Sequence, residues 1–378
     1  MILARTAQSL WRVSRCVTRA AGGCPRAQQW GLQRRGLSGA SRYVMTSKGR
    51  GRSHSCRQRC PLTLLSAAAF SIFSKTTEKD EDLSEPEEEI VFLLKKSKLS
   101  IMKGELDEAE ELLHKILHLA QQCESKRAVI YTYDLMANLA FLRGQHDNAE
   151  KLFKTTMVHM LDNGIKQDDN SFLEISLKLA SIYAAQNKRD LAVPGFQFCI
   201  KSLEEKTEKE KDLPEELLTA EAKTNTRLLL GLSLDSYARY LVTQSQLFHA
   251  QTMYEKAIRI CKEEQGEMHP QTITLLNDLA TVLEAQGRYD EAYATVTQAL
   301  HLAEKSQHPD HHIVLGNMAS ILMHRGISGE TEDVANVEWI FRLALSKAEE
   351  KEDAQSIQHI KKGLSELAKW KKKRNQNP

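Results

Sequence analysis

LNDLATVLEAQGRYDEAYATVTQAL, residues 276–300, decides the fold. It reads as two antiparallel helices joined by a tight turn at Gly287, with Ala280 on the first helix and Ala292 and Ala299 on the second. Small residues at those places let two helices approach closely, while Leu276, Leu279, Leu283, Tyr289 and Val296 fill the space around the contact. A glycine ends the first helix because it tolerates the left-handed conformation that lets the chain reverse. One such hairpin cannot bury its own apolar faces, so neighbours of the same design should flank it.

The pattern recurs. Ala137 is followed 12 residues later by Ala149, Ala180 by Ala192, Ala238 by Ala250 and Ala280 by Ala292, and Ser97 and Ala109 keep the offset with one substitution. Seven residues beyond each second alanine, on the same helix face, stand Ile116, Thr156, Cys199, Ala257 and Ala299. Turn residues fall at Gly104, Gly144, Asn187, Ser245 and Gly287, and a large apolar residue recurs as Leu113, Phe153, Phe196, Tyr254 and Val296. This layout resembles the tetratricopeptide repeat, which implies an all-α solenoid. The first-helix small residues at 97, 137, 180, 238, 280 and 319 are separated by 40, 43, 58, 42 and 39 residues, more than the usual ~34. Longer helices, plus one insertion between repeats three and four, account for the excess.

Net charge is +2, but it is unevenly divided. Residues 1–74 hold twelve Arg, one Lys and no Asp or Glu, and residues 75–378 hold 39 Lys and Arg against 50 Asp and Glu. An acidic body argues against a nucleic-acid partner, because phosphate backbones are met by concentrated positive charge. The acid-free, Arg-rich opening, residues 1–60, has the character of a mitochondrial presequence. Residues 61–74 are uncharged. That stretch is short for a membrane span of about 20 residues, and is read as a membrane or sorting segment, with either side of the membrane open for the body.

Residues 75–87 read as an acidic linker, with Ser84 as a helix cap and Pro86 just inside a helix start. About five to six hairpins are then expected over 88–350, a capping helix over 351–370 and a basic tail over 371–378. Repeat three should close near Leu203, and Pro194 should kink its outer helix unless that helix starts late. The charged stretch beyond it suggests a long inner helix from Pro214 to Val242 in repeat four. His269-Pro270 and His308-Pro309 open repeats five and six in the manner of kinesin-light-chain repeats, and about six residues are inserted in repeat six after Gly326. Ile357, Ile360, Leu364 and Leu367 form the stripe of the capping helix.

Catalytic constellations are missing. There is no Gly-rich phosphate loop, zincin motif or Cys-x-x-Cys pair. His114 and His118, four residues apart, have metal-ligand spacing but no supporting motif, and His308, His311 and His312 are explained as helix-start residues. No cofactor and no metal is therefore expected. A solenoid offers instead a concave groove lined by inner helices. The residues that point away from the alanine contacts are Asp134, Asn138 and Phe141; Glu174, Lys178 and Ser181; Asp235 and Arg239; and Asn277, Thr281 and Glu284. They are the candidate partner-groove residues. Asn138 has Asp134 rather than Lys one turn before it, so the carboxylate clamp of chaperone-tail domains is not carried over.

A narrower resemblance rests on Leu99-Ser100-Ile101-Met102-Lys103, on residues 130–140 (IYTYDLMANLA), on residues 175–187 (ISLKLASIYAAQN) and on His269-Pro270-Gln271-Thr272-Ile273 behind the Arg-rich opening. These resemble a mitochondrial tetratricopeptide-repeat family associated with the inner membrane and with respiratory complex III. The resemblance implies a non-enzymatic scaffold whose partners are complex III subunits, notably the Rieske iron–sulfur protein and its fragments, which it helps to clear. A cytosolic kinesin-light-chain-like adaptor or a cell-division scaffold is the alternative, and a metallopeptidase would rest on the histidine pairs alone.

Overall fold

The computed structural model describes residues 85–327 and 334–376; the basic opening, the uncharged stretch, Ser84 and the tip of repeat six lie outside them. The described residues form thirteen helices and no strand. Repeats one to three are α1 (Glu85–Lys103) with α2 (Leu106–Gln122), α3 (Lys126–Leu142) with α4 (His146–Asp162), and α5 (Asn170–Ala185) with α6 (Arg189–Lys211). Repeats four to six are α7 (Ala220–Thr243) with α8 (Leu247–Gln265), α9 (Pro270–Ala285) with α10 (Tyr289–Lys305), and α11 (His311–Ile327) with α12 (Val334–Glu350). The last helix, α13 (Ala354–Gln376), packs on both α11 and α12. Each helix packs on the next, and the first helices of successive repeats also touch, as α1 with α3, α5 with α7, and α9 with α11. That second set of contacts makes the odd-numbered helices the inner wall of the solenoid.

The alanine register holds. Ser97, Ala109, Ala137, Ala149, Ala192, Ala238, Ala250, Ala280, Ala292 and Ala319 are fully buried, as are Ile116, Thr156, Cys199, Ala257 and Ala299 seven residues on. Leu113, Phe153, Phe196, Tyr254 and Val296 fill the adjoining space. The first five hairpins turn as expected: Gly104, Gly144 and Gly287 have φ of 80°, 71° and 79°, and Asn187 and Ser245 both sit at 57°. The residue after each of them donates its N–H to a carbonyl five positions back, as Arg288 does to Leu283 at 3.0 Å and Gln246 to Leu241 at 2.9 Å. This is the bond that closes a Schellman end.

α1 begins at Glu85 with Pro86 in its first turn, as expected, so the stretch read as linker to residue 87 ends earlier. Three other boundaries differ from the sequence reading. α6 starts at Arg189 and runs unbroken through Pro194 to Lys211, well past Leu203. α7 then starts at Ala220 rather than Pro214, capped by the Thr219 hydroxyl, which accepts from the Ala222 N–H at 3.3 Å. Asp212 and the acids after Pro214 imitate a helix start, but the chain must reverse between two adjacent helices, and residues 213–218 supply that connection. The insertion between repeats three and four is thus spent on lengthening α6 to 23 residues and α7 to 24. Finally, the residues read as a basic tail remain helical to Gln376, and Lys371 pairs with Glu338 on α12.

Candidate functional site

The inner helices of repeats two to five carry polar residues close to their small contact residues, and several of these meet the inner helix of the neighbouring repeat. Most are buried there. Asp134, Asn138, Glu174, Lys178, Asp235, Arg239 and Asn277 are all less than a tenth exposed, while Phe141, Ser181, Thr281 and Glu284 are partly exposed. The buried members are therefore spent on one another, and the partly exposed ones remain as the accessible face of the wall.

Lys178 on α5 stands at the centre of the first group. Its Nζ lies 2.9 Å from Glu174 Oε1 on its own helix and 3.6 Å from Asp134 Oδ1 on α3, with the Phe153 ring 5.5 Å away. Burial alone would push the ammonium pKa down, but the two carboxylates outweigh it and hold it above the ordinary lysine value. Burial raises the Asp134 carboxyl, and Lys178 works against that shift. Lys98 of α1, 4.9 Å over the Tyr131 ring, also acts on Asp134, and burial lowers its pKa. Two cations and two carboxylates thus tie α1, α3 and α5 together. Asn138 donates to the Asp134 carbonyl at 2.7 Å, holding the helix rather than facing the groove.

The second group joins repeats four, five and six. Arg239 grips Asp235 with two bonds, at 2.9 and 2.8 Å, and reaches Asp278 of α9 at 3.6 Å. Opposed by burial, these two acids keep the guanidinium firmly charged. Asn317 of α11 donates to Asn277 Oδ1 at 2.9 Å. Glu284 receives the Ser320 hydroxyl at 2.8 Å and lies 2.8 Å from His324 Nδ1. That bond raises the His324 pKa. Lys98, Asp278, Asn317, Ser320 and His324 were not among the sequence candidates. Lys98 and Ser320 stand at the register of Asn138, Arg239 and Thr281, and Asp278 is adjacent to Asn277, so carrying the same face through repeats one and six would have found the first two.

The histidines have structural partners. His269 caps α9, its Nδ1 accepting from the Gln271 N–H at 3.2 Å, and burial pushes its pKa down to about 4. His308 repeats the arrangement, accepting from the Asp310 N–H at 3.0 Å while its Nε2 lies 3.1 Å from the Pro270 carbonyl, so one cap leans on the other. His312 lies 3.1 Å from Asp353. His114 and His118 are exposed on α2. No group of three or more His, Cys, Asp or Glu among the described residues could hold a metal ion. Burial pushes the Cys199 thiol up to about 12 and the Cys261 thiol up to about 11, which leaves both unreactive packing residues.

A left-handed turn after each of the first five inner helices, an alanine register and stacked helical hairpins mark a tetratricopeptide-repeat solenoid. A family model for the tetratricopeptide repeat matches residues 230–305. The apo form of RapI, a solved structure, superposes with a TM-score of 0.56 at 14% identity, over 80% of each chain. The narrower relation comes from sequence. Tetratricopeptide repeat protein 19, mitochondrial, of Homo sapiens is 48% identical over 95% of this chain and 96% of its own length, and its Mus musculus counterpart is 49% identical over 95% and 97%. The chain belongs to the family of tetratricopeptide repeat protein 19, mitochondrial.

Proposed function

We propose that this chain is a scaffold without an active site of its own, which binds respiratory complex III, ubiquinol–cytochrome c reductase, at the mitochondrial inner membrane. There it supports assembly and maintenance of the complex, including clearance of Rieske iron–sulfur protein fragments. The observation that carries the reading is similarity over nearly the whole length to relatives named as mitochondrial. The acid-free opening of residues 1–74 supports import. A wall whose buried charges are already paired supports a binding role, because it offers shape and a few free contacts rather than an activated nucleophile or base.

The test is to express the full chain with a C-terminal tag in cells lacking their own copy and to purify it from solubilised mitochondria. Complex III subunits should co-purify, and Rieske fragments should accumulate when the chain is withdrawn. A full-length product that stays in the cytosol and carries no complex III would overturn the reading in favour of the cytosolic adaptor.

A further inference from the structure

The two ends of the solenoid are finished differently. At the C-terminal end α13 turns Gln358, His359, Lys361, Lys362, Ser365, Glu366 and other polar residues to solvent, as a repeat array needs at a free end. At the N-terminal end α1 buries Ile90, Leu93, Leu94, Ser97 and Ile101 against its hairpin partner, yet its opposite face also carries large apolar residues. Phe92 is 65% exposed, Leu99 49% and Met102 43%. At 100° per residue Phe92 and Leu99 lie within about 20° of each other, and Met102 stands about 60° further round from Leu99. On the same face exposed Lys95 lies between Leu99 and Met102, and exposed Lys103 and Lys96 border Phe92 on the other side; of the acids in the first turns, exposed Glu88 also lies on this face, one turn before Phe92. Lys95 and Lys103 make no ion pair among the described residues; Lys96 reaches Glu108 across solvent at 3.1 Å.

We propose that this outward face of α1 lies on an anionic phospholipid bilayer, an inference that rests on the inner-membrane reading above. Three large apolar side chains interleaved with three lysines, on a body that otherwise carries excess acid, are the pattern of an interfacial helix: the ring and aliphatic chains enter the headgroup boundary while the lysines snorkel to phosphate, and Glu88 at the N-terminal end stays in water. Distance favours it too. The uncharged stretch, residues 61–74, ends ten residues before Glu85. Ten residues reach at most ~36 Å. A chain held at that stretch therefore keeps α1 beside the membrane, and even weak affinity for the surface is enough to lay the helix down. α1 contributes a contact of its own, one that sets which end of the solenoid points at the bilayer.

The experiment places the photo-crosslinker p-benzoylphenylalanine at Phe92 of the full chain, with the same substitution at Phe248 as control. Phe248, on α8, is 71% exposed. Each protein is mixed with vesicles of phosphatidylcholine alone or with phosphatidylglycerol, carrying a labelled lipid, and flotation and lipid adducts are scored separately. Position 92 should form lipid adducts on the anionic vesicles and position 248 should not. Lys95→Glu with Lys96→Glu should reduce the adduct at 92 by roughly tenfold or more while leaving the melting temperature unchanged. A chain that floats yet gives no adduct at 92, or equal adducts at both positions, overturns the proposal and leaves membrane association to another segment. A chain that does not float at all overturns the inner-membrane reading itself. In isolated mitochondria, a protein adduct at 92 in place of lipid would assign the face to a protein partner and likewise overturn it.

Discussion

Each of the five described hairpin reversals hangs on one residue in the left-handed region, and three of the five are glycine. Asn187 and Ser245 pay a steric cost that glycine does not, because a Cβ crowds the following carbonyl there. Ser245→Gly should therefore raise stability by up to ~1 kcal/mol, and Gly287→Val should lower it by at least that much, both read from urea unfolding. These positions were legible from register alone. The histidine caps were legible as helix starts, but not their protonation, which depends on burial. His269 is held neutral in the fold, with a pKa of about 4, against ~6.5 when unfolded. The unfolded chain binds the proton first, so this group's contribution is complete above pH ~6.5 and is lost as pH falls toward 4. His269→Asn keeps a good cap that does not titrate; it should flatten that part of the melting temperature's pH dependence while preserving the value at pH 7. A variant whose pH profile overlays the parent's would remove His269 from this role.

Between elements, what matters is how close helices come and what lies at the seam. A Cβ built on Gly195 of α6 would stand 2.9 Å from the Ala180 Cβ of α5, and neither atom can swing away. Gly195→Ala should cost ~1–3 kcal/mol, and adding Ala180→Gly should recover part of it, a coupling that a double-mutant cycle detects. The sequence singled out Ala180 but passed over Gly195, because the proline before it drew the reading toward a kink. The polar wall was legible only as a list of residues. Which of them meet depends on the stagger between neighbouring inner helices, and no spacing within one repeat encodes that. Lys178→Met leaves two buried carboxylates without their cation and should cost ~3–5 kcal/mol, whereas replacing Lys178, Asp134 and Glu174 together by apolar residues of similar size should cost far less. Arg239 holds two acids in the same way, so its removal would weaken partner binding through instability alone. The groove is better tested at the partly exposed Phe141 and Thr281: Phe141→Ala with Thr281→Glu should reduce complex III co-purification several-fold at unchanged helix content, and unaltered co-purification would place the partner on another surface.

Taken as one molecule, the array was readable because a solenoid repeats its packing problem, so five weak alanine signals at one offset add to a strong one. The ends and the insertion broke the repeat and were read less well; α6 and α7 were misjudged because a charged run serves equally as helix or loop until a neighbour is given. The C-terminal end depends on α13, where Ile360 and Leu367 are nearly fully buried and Gly363 lies against the Phe341 ring. A chain stopped after Glu350 should melt lower and aggregate on heating, as seen by light scattering, because α11 and α12 would then face water with Leu315, Leu322 and Phe341. The lengthened α6 and α7 have a consequence of another kind. Beside outer helices of 17 to 19 residues, a helix of 23 is longer by about 6 to 9 Å at ~1.5 Å per residue. A rim of identical teeth would let a bound strand or helix slip by one tooth and still fit. One tall tooth in the middle abolishes that translation, so a ligand laid along this edge has a single parking position and an unambiguous head and tail.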